Sequence, residues 1–173
     1  MKDYKNYLIA ILIAVSIAAC KGVGLNATSI IEAKNSSGVS GTIIFTETNG
    51  MVLMTANISG LTPGNHAIHI HAIGDCSADD GISAGGHWNP TEVSHGAWGV
   101  APFHIGDIGN LEANTDGTAS LSRNTDLWCI DCSDVAKNIV GKAIIIHEGP
   151  DDFSSQPSGA AGPRIGCGVI AKD

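Results

Sequence analysis

Gly64-Asn65-His66-Ala67-Ile68-His69-Ile70-His71 places three histidines within six residues, interleaved with apolar ones. Read as a strand, the run alternates its side chains between two faces. His69 and His71 then share one face, close enough to grip a single metal ion. His66, Ile68 and Ile70 have the other parity and point into a core, His66 as a structural histidine bonded inside the fold. Two imidazoles side by side on a strand suit copper or zinc, which both accept nitrogen donors of this softness.

Outward from this run the chain reads as short β-segments divided by turn signals. Ser29 to Ala33, Thr42 to Thr46 and Met51 to Ile58 precede it, and Asn49-Gly50 supplies a tight-turn pair between the last two. Strand-like segments resume at Leu111 to Ala113, Ala119 to Leu121, Ala143 to His147 and Val169 to Ala171. Between Ile73 and Gly106 lies a long irregular region rich in Gly, Asp and Ser; a loop of that length inside a compact domain is usually functional. No helical period of useful length occurs. The pattern is that of an all-β, antiparallel sandwich or barrel in one domain.

The chain has 173 residues, 43% of them hydrophobic, which is enough for one sizeable core. A net charge of −8 argues against nucleic acid as a partner. Residues 1–19 read as a signal peptide: a short basic start with Lys2 and Lys5, an apolar run from Tyr7 to Ala18, and small residues before Cys20. The apolar run is short for a membrane span. The ending resembles that of bacterial lipoprotein signals, which implies a lipidated Cys20, a tether over 20–26 and a folded domain over 27–173. The protein is then expected to be secreted across the inner membrane and held, periplasmic or at the cell surface, by its N-terminal lipid alone. Apart from Cys20, Cys76, Cys129, Cys132 and Cys167 form an even set in an oxidising compartment, with three connectivities open.

All seven histidines fall between residues 66 and 147. The long loop holds His87, His95 and His104, followed by Asp107. Three imidazoles and one carboxylate make a four-coordinate set suited to zinc, and such a site fixes a loop that lacks a core of its own. His147 ends the apolar segment Ala143-Ile144-Ile145-Ile146, where a distant ligand can meet the His69/His71 pair.

Gly64 to His71, Gly85-Gly86-His87-Trp88-Asn89-Pro90, His104-Ile105-Gly106-Asp107, His147-Glu148-Gly149-Pro150-Asp151-Asp152 and Ala161 to Ile170 together resemble the copper–zinc superoxide dismutases, in order and over nearly the whole chain after Asn26. The resemblance implies a Greek-key β-sandwich of immunoglobulin-like architecture with long metal-binding and active-site loops. It places copper on His69, His71, His87 and His147, and zinc on His87, His95, His104 and Asp107, with His87 bridging. Asp151 is the carboxylate joining a copper ligand to a zinc ligand. Arg164 guides the superoxide anion, Ser158 occupies a channel-lining position, and Cys76 pairs with Cys167. That bridge closes a loop of about 90 residues, worth roughly 4–5 kcal/mol in the chain-entropy picture. The implied reaction converts two superoxide anions and protons into dioxygen and hydrogen peroxide, copper alternating between Cu(II) and Cu(I), zinc structural and His87 relaying a proton.

Three features depart from the family's usual pattern. The stretch from His147 to Arg164 is short and carries no lysine, so long-range attraction of superoxide should be weak. Trp88 stands where phenylalanine is commoner. Cys129-Ile130-Asp131-Cys132 is additional, and reads as a second, local disulfide or as a thiol pair able to exchange with partners. The competing class is a non-enzymatic periplasmic copper/zinc-binding lipoprotein, which the loss of a copper ligand or of Arg164 would favour; all are present. The retained His95, His104 and Asp107 argue against a copper-only enzyme. The sequence leaves a homodimer open.

Overall fold

Alternation of side chains governs the architecture of residues 24–173, the part of the chain that the computed structural model describes. The leader read over 1–19 and Cys20 lie outside the described residues. Eight strands follow in order: β1 (Leu25–Ala33), β2 (Ser40–Thr48), β3 (Met51–Ser59), β4 (Gly64–His71), β5 (Asp107–Ala113), β6 (Ala119–Thr125), β7 (Ala143–His147) and β8 (Arg164–Lys172). Every pairing is antiparallel, in the lateral order β5-β4-β7-β8-β1-β2-β3-β6. The sheet curls until its two end strands approach one another. There Arg123 on β6 donates from Nε to the Ile108 carbonyl on β5 (3.2 Å), and the nearly closed barrel loses most of its exposed edge.

The inner face is apolar. Ile43, Phe45, Met54, Ile68, Ile70 and Ile144 are fully buried in one cluster, with Trp88 and Trp128 joining from the loops. Each such side chain contributes about 1.5–3 kcal/mol of burial. His66 shares their parity and is 2% exposed, its Nδ1 3.0 Å from the His147 carbonyl and its Nε2 2.8 Å from that of Thr62. The opposite parity on β4, β7 and β8 carries His69, His71, Ala143, Ile145 and Cys167 outward. The long loop folds over this outer face, where Ala84, Ala143, Ile145 and Cys167 form a second, smaller cluster with Cys76 against it.

Two disulfides are present, Cys76–Cys167 and Cys129–Cys132. The first pins the covering loop to β8; the second closes a small turn between β6 and β7. Strand extents exceed the sequence reading at polar or glycine-rich ends. Leu25 and Asn26, read as tether, pair with Glu47 and Thr46. Asp107 to Asn110 and Arg164 to Gly168, outside the strands read from the sequence, are strand. Pairing with an already ordered neighbour overrides weak local propensity.

Candidate metal centre

Strand parity brings the first group together. His69 and His71 stand on the outer face of β4, and Ile145 pairs with His69, so His147, two residues further along β7, emerges on the same side. Ring centroids lie 5.3 Å apart for His69 and His147, and 5.9 Å for His71 and His147. His87 arrives from the loop: an isolated bridge to His71 sets it 5.1 Å from that ring and 4.0 Å from His69. One donor atom from each of these four lies within 4.8 Å of all the others, and the same holds for His87, His95, His104 and Asp107. His87 belongs to both groups.

Two β-bulges aim the residues at the edge of the site. Ile68 faces Gly109 whereas His69 faces Asp107, leaving Ile108 as the extra residue on β5. Ile146 faces Gly166 whereas His147 faces Arg164, leaving Ile165 extra on β8. A bulge redirects the side chain beside it; here one delivers Asp107 beside His69 and the other delivers Arg164 beside His147.

Hydrogen bonds leave one nitrogen unused in every donor ring except that of His104. His69 donates from Nε2 to Asp151 Oδ2 (2.9 Å), His71 from Nδ1 to the Gly85 carbonyl (2.8 Å), and His147 from Nδ1 to that of Gly162 (3.0 Å). His95 donates from Nε2 to Asp151 Oδ1 (2.9 Å) and His104 from Nε2 to the Val93 carbonyl (3.1 Å). Such partners fix the tautomer and turn the other lone pair toward a metal. His69 Nδ1, His71 Nε2, His87 Nε2, His95 Nδ1 and His147 Nε2 are buried with no hydrogen-bond partner. His95 Nδ1 does lie 3.0 Å from Asp107 Oδ1, at an ion-pair distance without hydrogen-bond geometry.

Around Asp107 Oδ1 the Nδ1 atoms of His87, His95 and His104 stand at 2.8, 3.0 and 3.1 Å, and those of His87 and His104 are 3.4 Å apart. Donors about 2.0 Å from a tetrahedral ion are about 3.3 Å from each other, so this set has the size of a zinc shell. Asp107 Oδ2 is occupied separately, by the amides of Gly96 (3.1 Å) and His104 (2.7 Å). The first group, all imidazole, suits copper. The donor chemistry therefore fits both metals.

Titration follows burial. Desolvation lowers His69 to about 4 against the pull of Asp151, lowers His147 to about 3, and holds His71 well below the usual histidine range. These rings are neutral near pH 7, the form a metal ligand requires. Burial lowers His95 as well, but Asp151 and Asp107 outweigh it and raise that ring above its ordinary value. Burial pushes the Asp107 carboxyl up; the hydrogen bonds from His87, His104 and Gly96 win and set it at about 2.

A cavity of about 410 Å³ opens over His71, His87 and His147, with Arg164 and Ser158 in its wall. The Arg164 guanidinium donates to the carbonyls of Gly81 and Gly85, 2.7 Å each. Sequence reasoning missed two amide clamps. Asn110 holds the Asp151 backbone from both sides (3.0 and 2.8 Å), and Gln156 does the same for His95 (2.9 and 3.0 Å). Asn110 lies outside the strands read from the sequence, so neither it nor Gln156 carried a signal. Gly159 was also silent: its φ is +69°, and a Cβ there would collide with Asp151 Oδ1. A larger residue would lift the loop from the carboxylate that ties the two groups.

A family model described as copper/zinc superoxide dismutase matches residues 39–170. That span runs from just before β2 to within β8 and takes in every donor described above. By the extent of this match the chain belongs to the copper/zinc superoxide dismutase family, oxidoreductases that act on superoxide with copper and zinc as cofactors.

Proposed function

We propose that copper is held by His69, His71, His87 and His147, and zinc by His87, His95, His104 and Asp107, with His87 shared. The observation that carries this division is the set of buried ring nitrogens without partners, together with the one carboxylate oxygen surrounded by three imidazoles. Copper supplies the one-electron chemistry that interconverts superoxide with dioxygen and peroxide, and zinc, which has no redox chemistry, supplies a fixed charge and a tie.

The chain's own residues do the rest. Arg164, among the described residues the one lysine or arginine lining the cavity, attracts a small anion and holds it beside His87 and His147. Its charge acts in a part-buried wall where water screens it poorly. His87 Nε2, when free of copper, would hold one of the two protons that peroxide requires and hand it over, the second coming from solvent. Asp151 accepts from both His69 and His95, so the orientations of a copper ligand and a zinc ligand are coupled through one side chain.

The test uses a soluble form beginning after Cys20, loaded with both metals. About one copper and one zinc per chain, with rapid superoxide loss, is the expected result. Full metal loading without acceleration over buffer would refute the enzymatic division. The apolar leader ending at Cys20 supports a lipid-anchored, periplasmic or surface location. Cys20→Ser should release the protein from the membrane fraction, and continued retention would exclude the anchor.

A further inference from the structure

The turn between β1 and β2, Lys34 to Ser37, supplies no metal donor, yet its hydrogen bonds converge on Arg164 from two directions. Toward β8, the Lys34 amide donates to the Ile165 carbonyl (3.0 Å), Ser37 Oγ donates to the same oxygen (2.6 Å), and Asn35 Nδ2 donates to the Arg164 carbonyl (3.0 Å). Ile165 is the extra residue of the bulge that turns Arg164 toward His147. Toward the covering loop, the Asn35 amide donates to the Asp79 carbonyl (2.9 Å) and Lys34 Nζ to that of Cys76 (2.5 Å). That loop presents the Gly81 and Gly85 carbonyls to the guanidinium.

The turn's composition is costly without such a role. Asn35 (φ 51°) and Ser36 (φ 57°) are both left-handed, a conformation disfavoured for residues with a Cβ. Glycine at 35 would ease the backbone and forfeit the bond to Arg164. Lys34 is only 8% exposed, and its ammonium ends on a carbonyl rather than a carboxylate. Gly81 sits against the stems of Lys34 and Arg164: a Cβ there would lie 3.7 Å from Lys34 Cγ and 3.4 Å from Arg164 Cβ. The turn thus touches both the backbone that carries Arg164 and the segment that receives its side chain.

We propose that Lys34, Asn35 and Ser37 form a brace that positions Arg164 for the incoming anion, an inference that rests on reading Arg164 as the superoxide-guiding residue. The side chains of Asn35 and Ser37 reach only the Arg164–Ile165 backbone, so their removal should impair anion capture and leave the metals in place.

The experiment compares the metal-loaded protein with Asn35→Gly/Ser37→Ala, in which glycine preserves the left-handed turn. The second-order rate with superoxide should fall about three- to tenfold and azide should bind more weakly by a similar factor, while copper and zinc contents stay unchanged. Arg164, followed by peptide mass, should react faster with phenylglyoxal. In an Arg164→Ala background the same pair should change the rate less than about twofold, because residues acting through one group are not additive. Ser37→Thr, which keeps the hydroxyl, should restore most of the single-site loss. Should the pair not fold, Lys34→Met carries the same comparison. An unchanged rate in the native background, or an equal fall with and without Arg164, overturns the brace. If Arg164→Ala itself leaves the rate unchanged, the reading of Arg164 fails; phenylglyoxal then decides the brace alone, faster labelling supporting it and unchanged labelling refuting it.

Discussion

The two donor groups share His87 but are built in opposite ways. In one, His69, His71 and His147 stand on β4 and β7, and one residue comes from a loop. In the other, His87, His95 and His104 all come from the loop, and only Asp107 begins a strand. The strand-borne group is all imidazole, and burial keeps His69, His71 and His147 neutral. The loop-borne group includes a carboxylate, and against burial Asp151 and Asp107 raise its His95 above the ordinary value. A scaffold of paired strands holds its ligands whether or not a metal is bound. A loop needs its ion to be held, so metal there is folding free energy. The difference separates a site tuned for chemistry from one tuned for order.

Removing a strand-borne ligand should break the contrast most visibly. His147→Ala is expected to cut turnover at least about a hundredfold while zinc stays near one per chain, as read by metal analysis beside a superoxide assay. Loss of zinc in that variant would show the groups to be less separate than their construction suggests. Asp107→Asn should do the reverse: zinc is lost, and the melting temperature falls by on the order of 10 °C because the loop loses its tie. Asp151→Asn probes the link between the groups. Affinity for both metals should drop by about 10–100-fold, and a drop at one metal only would deny Asp151 its coupling role.

Acid should destabilise the metal-free protein, chiefly through its strand-borne rings. A buried histidine held below its ordinary value of 6.5 takes up a proton less readily folded than unfolded. Its contribution is therefore complete above about pH 6.5 and is lost as the pH falls toward about 4 for His69 and about 3 for His147. Each such ring costs about 1.4 kcal/mol per pH unit across its window. His95, raised above its ordinary value, opposes this, but His71 and His104 act with the majority. Urea midpoints of the metal-free form should decline from pH 7 to pH 4, and a flat profile would contradict the burial argument. The smallest effect concerns salt. With Arg164 the one lysine or arginine that the described residues place on the cavity wall, the rate should change less than about threefold between roughly 0.01 and 0.15 M ionic strength. A steeper fall would point to attraction by cations outside that wall.

Much of the fold was legible because period two is local. The parity of His69, His71 and Ile145 follows from counting along the chain, and so does the apolar inner face of β4 and β7. β4 and β7 begin and end where their turn residues and apolar runs indicate. The ends of β5 and β8 were illegible, since Asp107-Ile108-Gly109-Asn110 and Arg164-Ile165-Gly166 have weak strand propensity and are ordered by neighbours. The loop donors were legible as residue types. Their orientation rests on carbonyls of Gly85, Val93 and Gly162, which carry no side-chain signature.

By itself the sequence determined the kinds of donor available, the face on which three of them emerge and the all-β pattern beneath, because each depends on residues a few positions apart. Only the tertiary structure decided where the bulges at Ile108 and Ile165 fall, how Asn110 and Gln156 lock Asp151 and His95, and what braces Arg164. Asn110 reaches Asp151 across 41 residues, and Asn35 reaches Arg164 across 129. Contacts at that separation form when the sheet closes, and nothing in the nearby chain encodes them.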